Sequence, residues 1–157
     1  RLSDQFDVHY ALKAIHLDSV TDPSFIDELL NEISILKHLD HPNIVRAIET
    51  YDYREQLFMV CELCSGGDLY TRDPYSERDA ARIACSILSA VEYMHEMNIT
   101  HRDLKYENIL FTSDHPDADV KIIDFGLSKK YGGEDVHLHD GVGTIYSMAP
   151  EVMMGDY

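Results

Sequence analysis

The sequence predicts an α+β fold, and three observations carry it. Apolar residues alternate or run in short blocks over 6–17 and 57–63, the pattern of strands. They recur at helical spacing over 25–36 and 80–94. Two more short apolar blocks, 109–111 and 120–123, flank a polar turn. A chain of 157 residues suffices for one ordinary domain.

The elements follow in order. The run Phe6 to Leu17 predicts one or two strands. Thr21-Asp22-Pro23 reads as a helix start, with Asp22 as cap and Pro23 at the first helical position. Phe25, Leu29, Ile33 and Leu36 form its stripe, with Ile26 and Leu30 at the same spacing. Pro42 is expected to end this helix, since proline blocks continuation. Leu57 to Leu63 reads as an apolar strand interrupted only by Glu62, and Ser65-Gly66-Gly67 breaks it. Ser76-Glu77-Arg78-Asp79 reads as an N-cap followed by acid in the first turn. Ala80, Ile83, Ile87, Leu88, Val91 and Met94 then make an apolar stripe assigned to the core. Ile109-Leu110-Phe111 and Val120-Lys121-Ile122-Ile123 read as short strands around the turn 113–119.

Charge and composition narrow the function. Asp and Glu number 29 against 13 Lys and Arg, a net charge of −16. That disfavours nonspecific nucleic-acid binding and favours basic partners. No apolar run is long enough to span a bilayer, and no signal peptide opens the chain. The chain starts with Arg1 rather than Met, which leaves targeting undecided. Three cysteines, an odd count, suit a reducing compartment: the cytoplasm, with the nucleus as an extension. Cys61 and Cys64 form a C-x-x-C without a second ligand pair, so a spacing coincidence outweighs a zinc or redox role. His137 and His139 read as a solvated pair, and the Asp-rich turn does not have EF-hand spacing. Neither a Walker A nor a G-x-G-x-x-G motif occurs, which leaves an unrelated α/β nucleotide-binding fold without support.

The strongest signal is His101-Arg102-Asp103-Leu104-Lys105-Tyr106-Glu107-Asn108, followed by Asp124-Phe125-Gly126 and Ala149-Pro150-Glu151. The ordered set resembles the catalytic loop, D-F-G and A-P-E of eukaryotic protein kinases. Tyr10-Ala11-Leu12-Lys13 resembles the family's V-A-I-K strand, and Glu32 lies nineteen residues after Lys13, the separation of the family's Lys–Glu ion pair. Leu39-Asp40-His41-Pro42-Asn43-Ile44-Val45 resembles the link that follows the family's regulatory helix.

The resemblance implies a two-lobed fold, represented here without the Gly-rich loop or the helices after the activation segment. Residues 1–60 would be part of the small lobe, 61–67 the hinge and 68–157 part of the large lobe. It implies ATP and Mg²⁺. Asp103 would accept the substrate hydroxyl's proton, Lys105 would meet the γ-phosphate, and Asn108 and Asp124 would hold Mg²⁺. Lys13, paired with Glu32, would reach the α- and β-phosphates. Ala11 would sit above the adenine, Leu110 below it, and Ile123 at its back wall. Cys61 falls at the gatekeeper position, and the backbones of Glu62 and Cys64 would bond the adenine edge. Asp68 would lie near the ribose, with a turn or cap role as its alternative.

Lys105 and Gly143-Thr144 resemble the Ser/Thr rather than the Tyr kinases. The run from Lys121 to Lys129 resembles the calcium/calmodulin-dependent and calcium-dependent group, which implies a calcium-sensing regulator outside this chain. Asp68 and Glu107 match positions that bind basic residues before the acceptor in some members. In the activation segment, Asp140 stands where a phosphorylated residue commonly pairs with the Arg of H-R-D, here Arg102; Thr144 and Glu151 complete the segment. The departures are Tyr106 for the usual Pro, Ala47 for a larger aliphatic residue, and only Leu69 to Tyr75 where a helix usually lies. The rival expectation is a scaffold that keeps the fold without catalysis.

Overall fold

The computed structural model describes residues 8–16, 23–54, 56–132, 138, 141–155 and 157, with the side chains of 23–25 left aside. Three antiparallel strands form the upper sheet: β1 (Tyr10–His16), β2 (Ala47–Tyr53) and β3 (Gln56–Glu62), in the order β1-β3-β2. Lys13 pairs with Met59 and Ala11 with Cys61. Helix α1 (Pro23–Leu36) lies between β1 and β2 in the chain, and Pro23 does open it. Leu29, Ile33, Ile35 and Leu36 are buried, whereas Leu30 is exposed. Pro42 is not its terminator. The helix closes at Leu36, where the Lys37 and His38 amides bond back to Ile33 and Ile35.

The lower body is built on α2 (Glu77–Glu96). Ser76 Oγ accepts the Asp79 N–H at 3.1 Å, and Glu77 and Asp79 place acid in the first turn. At the other end Asn98 takes φ 56°, the left-handed conformation that short polar residues tolerate after a helix. The buried stripe is Ile83, Ala90 and Met94, joined by the half-buried Ile87 and Val91. Ala80 and Leu88, assigned to the core from spacing, are exposed.

Two small antiparallel pairs complete this body. β4 (Ile99–Thr100) pairs with β7 (Lys129–Lys130), and β5 (Ile109–Phe111) with β6 (Val120–Ile122). A five-residue helix α3 (Pro150–Met154) ends on Gly155 at φ 73°. The segment after Gly67 forms only a 3-10 turn, Tyr70–Arg72. Arg72 packs over the Phe111 ring at 3.9 Å and donates to the carbonyls of Gly66, Ser113 and His115.

One apolar cluster runs through both parts. Leu36, Ile44, Met59, Met94, Ile122 and Phe125 are all in it. Burying a side chain of that size contributes roughly 1.5–3 kcal/mol. The two parts meet where Ile44 bridges Ile122 and the Val45 amide donates to the Ile122 carbonyl at 2.9 Å. Lys13, Glu32, Leu110, Ile123 and Asp124 line a cleft at the seam between them. Among the described residues no helix is long and apolar enough to cross a membrane.

Candidate active site

The seam holds a cleft of about 350 Å³. Ala11, Leu110 and Ile123 line it, as do Cys61, Glu62 and Cys64. Strand alternation explains part of this, since Ala11 and Lys13 share one face of β1. Lys13, Glu32 and Asp124 stand at its polar end. Lys13 Nζ meets Glu32 Oε2 at 2.5 Å, with the carboxylate buried and the lysine 45% exposed. This is the pair the resemblance implied.

Burial first, and the nearby Glu32 next, push the Cys61 thiol above its ordinary pKa. Burial and Glu62 do the same for Cys64. Both thiols are free, and no cluster of three metal-ligating side chains occurs among the described residues. Among those residues the Cys64 backbone N–H has no hydrogen-bond acceptor, while the Glu62 N–H is taken by the Arg46 carbonyl at 3.1 Å. Asp68 does not line the cleft. Its Oδ1 accepts the Thr71 N–H at 2.8 Å across the turn that leads into Tyr70–Arg72, the turn role weighed as its alternative.

The second group of residues surrounds Asp103. Its Oδ1 accepts both the Thr144 N–H at 2.9 Å and the Thr144 hydroxyl at 2.5 Å. Its Oδ2 accepts from Asn108 Nδ2 at 3.0 Å and lies 2.7 Å from Lys105 Nζ. Lys105 Nζ also donates to Thr144 Oγ1 at 2.8 Å. Burial alone would raise the Asp103 pKa. Hydrogen bonds from Lys105 and Thr144, with the lysine's charge, override it and hold the carboxyl below its ordinary value. The hydrogen bond to Asp103 raises Lys105 in turn. At neutral pH the site therefore presents a carboxylate and an ammonium side by side.

Backbone geometry sets this cluster. Arg102 takes φ 69°, which is costly for a long side chain, and Asp124 takes φ 63°, which a short polar residue tolerates. His101 is buried and stacks edge-on against Phe125 at 4.8 Å. Burial lowers its pKa, so the ring is neutral. Its Nδ1 then accepts the Asp103 N–H at 3.3 Å and its Nε2 donates to the Ile123 carbonyl at 3.0 Å. One ring thus orients both the loop that carries Asp103 and the segment that leads from β6 to Asp124. Gly143 has φ 122°, and a Cβ there would lie 2.5 Å from the Arg102 carbonyl. Only glycine lets the Thr144 segment approach Asp103 so closely.

Asn108 and Asp124 fit a hard cation. Asn108 Nδ2 donates to Asp103 Oδ2 and to the Asp103 carbonyl, which leaves the amide oxygen as its acceptor. The Ile123 N–H donates to the Asn108 carbonyl at 2.9 Å, so Asp124 follows directly on the strand beside Asn108. Asp124 is exposed. Two oxygen donors with open positions suit magnesium, which keeps waters and phosphate oxygens in its shell.

In the activation segment, Arg102 Nε donates to the Leu127 carbonyl at 2.6 Å. Asp140, the expected partner of Arg102, lies outside the described residues, as do His137 and His139. Glu151 is exposed in the first turn of α3. Three contacts escaped the sequence reading because no local spacing encodes them. Tyr146 donates its hydroxyl to Glu107 Oε1 at 2.6 Å. Asn31 Nδ2 donates to the Ser128 carbonyl at 2.6 Å, tying α1 to the segment after Gly126. Lys121 pairs with Glu62 at 2.8 Å.

Comparison with known proteins bears on the same residues. The chain matches the family described as the protein kinase domain over residues 3–157. It is 43% identical over 136 residues to calcium-dependent protein kinase 5 of Plasmodium falciparum (isolate 3D7), covering 84% of this chain and 24% of that protein. It is 44% identical over 132 residues to calcium/calmodulin-dependent protein kinase type 1 of Macrobrachium nipponense, covering 81% of this chain and 37% of that protein. With calcium-dependent protein kinase 3 of Plasmodium yoelii yoelii the identity is 38% over 136 residues, 84% of this chain and 25% of that protein. The chain therefore spans about a quarter to just over a third of the length of these curated relatives. Since the match extends over nearly the whole chain, and the cleft and the Asp103 cluster lie within it, the chain belongs to the protein kinase family.

Proposed function

We propose that this chain is the catalytic part of an ATP-dependent protein serine/threonine kinase. In that reading residues 1–60 belong to the small lobe, 61–67 to the hinge and 68–157 to the large lobe. The observation that supports it best is the Asp103 cluster: a carboxylate and an ammonium held together by one threonine hydroxyl that donates to the first and accepts from the second.

ATP fits the cleft with its base between Ala11 and Leu110, against Ile123, and with its edge at the Glu62 carbonyl and the Cys64 N–H. Lys13, held by Glu32, is placed for the α- and β-phosphates. Magnesium, held by Asn108 and Asp124, would neutralise phosphate charge. Asp103 accepts the proton of the attacking hydroxyl, and Lys105 faces the charge on the transferred phosphoryl group. The pair needs no proton rearrangement before reaction, because both groups already carry the charge the step requires.

The acidic chain favours substrates with Arg or Lys before the acceptor, read by Asp68 and Glu107, each of which keeps one carboxylate oxygen outside the bonds described above. The calcium-dependent names of the relatives support a calcium-sensing regulator elsewhere in the protein. Asp140 is proposed to pair with Arg102 in place of a phosphate. The test is transfer of labelled phosphate from ATP with Mg²⁺ to a Ser/Thr peptide library by the natural-length protein. Labelled Ser or Thr is the expected result. Nucleotide binding without transfer would instead establish the scaffold.

A further inference from the structure

The rear edge of the cleft is tied to the lower body through one side chain. Lys121 lies on β6 opposite Leu110 of β5, and Leu110 lines the cleft. The Lys121 ammonium reaches across the seam to the last residue of β3, meeting Glu62 Oε1 at 2.8 Å. It also donates to the Pro42 carbonyl at 2.9 Å and, at the longer distance of 3.5 Å, to that of Ile44. The same Glu62 Oε1 accepts the Arg46 N–H at 2.6 Å. The lysine side chain is 13% exposed and the glutamate 28%, so water screens this pair far less than one on the open surface. Three segments thus meet at one ammonium: the connector after α1, the exit of β3 and the strand beneath the cleft.

We propose that Lys121 is a positioning residue for the nucleotide. By holding the Glu62 carboxylate beside the Arg46 N–H and the Pro42 carbonyl, it fixes the peptide units of 62–64 relative to Leu110 and Ile123. A planar base needs two things of that edge: in-plane backbone groups, and a constant gap between its upper and lower walls. Without the ammonium, the Glu62 carboxylate keeps only the Arg46 N–H, and the Pro42 and Ile44 carbonyls lose a donor. The chain at 62–64 is then free to rotate, and the nucleotide must bear the cost of ordering it. This rests on the phosphotransfer reading of the cleft.

The experiment uses the natural-length protein, with two readouts: steady-state phosphorylation of a Ser/Thr peptide, and the rise in melting temperature on adding ATP with Mg²⁺. Lys121→Met should raise KM for ATP about fivefold or more, several times the effect on kcat, and shrink the nucleotide-induced melting shift. KM for peptide should not change. Lys121→Arg should restore KM for ATP, since a guanidinium keeps the charge and the donors. Adding Glu62→Gln to Lys121→Met should do little further harm, because both remove the same interaction. A Lys121→Met protein with wild-type KM and an undiminished ATP shift would overturn the proposal. So would equal losses in every parameter that Lys121→Arg does not repair, which would mark a purely structural lysine. If the wild type binds ATP but transfers no phosphate, the phosphotransfer reading fails, and the melting shifts still decide the role of Lys121.

Discussion

The two halves of the proposed active site are built to different standards of rigidity. At the proposed nucleotide end, Lys13 has one described partner, Glu32, and is 45% exposed; Asp124 is exposed. At the proposed transfer end, Lys105 is 21% exposed and Asp103 8%, and their side-chain polar atoms are held by five bonds among Asn108, Thr144 and each other. The contrast follows from chemistry. A flexible polyphosphate and its cation bring their own charges and waters, so that end needs open, solvated groups. Proton acceptance and charge stabilisation at one oxygen need fixed groups whose orientation is settled before substrate arrives.

The largest effect should come from the rigid end. Asp103→Asn removes the proposed proton acceptor and should lower kcat about 10²-fold or more, while ATP still binds. Peptide phosphorylation and nucleotide-induced melting shifts in the same protein check both halves. Comparable loss of binding would show that the two ends are not separate.

The open end should respond more mildly. Glu32→Gln removes the charge that holds Lys13 and should raise KM for ATP by about tenfold, with less effect on kcat. Steady-state kinetics at saturating peptide measure this. An effect on kcat as large as that of Asp103→Asn would contradict the division.

Thr144 sharpens the comparison, because it tests whether orientation alone matters. Thr144→Val keeps the backbone N–H to Asp103 but deletes the hydroxyl that joins Asp103 to Lys105. It should lower kcat by about tenfold, whereas Thr144→Ser should retain most activity. The valine variant also loses a bond that depresses the Asp103 pKa. The acid limb of its kcat profile should therefore move to higher pH than in the wild type.

The smallest effect concerns His101 and stability. Burial lowers its pKa, so below about pH 6.5 the unfolded chain binds a proton that the folded ring does not. Its contribution to stability is complete above that pH and declines as pH falls toward the folded value. The wild type should thus lose melting temperature from pH 7 to 5.5 more steeply than His101→Phe. Parallel slopes would mean the ring is already protonated in the fold.

Much of this was legible along the chain, for a physical reason: local structure comes from local spacing. The strands β5 and β6 on either side of one turn, the cap at Ser76, Pro23 at the start of α1 and the nineteen-residue Lys13–Glu32 separation are short-range or family-level signals. The same spacing misled where it could not see a neighbour. Leu88 shares the periodicity of the buried stripe, yet it is exposed because nothing described covers that face of α2. Pro42 looked like a stop, but α1 had already closed at Leu36, since the chain must turn there to send Ile44 and Val45 into the core beside Ile122.

The sequence by itself therefore determined the two long helices, most of the longer strands, the family and the chemical types at the site, but not β2, β4, β7 or α3. Those depend on propensity, periodicity and the order of motifs. Tertiary structure alone decided which polar atoms are shared. The Thr144 hydroxyl on Asp103 spans forty-one residues, Lys121 on Glu62 fifty-nine, and Asn31 on Ser128 ninety-seven. A hydrogen bond constrains two atoms to within about 3 Å, and no composition or period of the chain carries distances across separations that long.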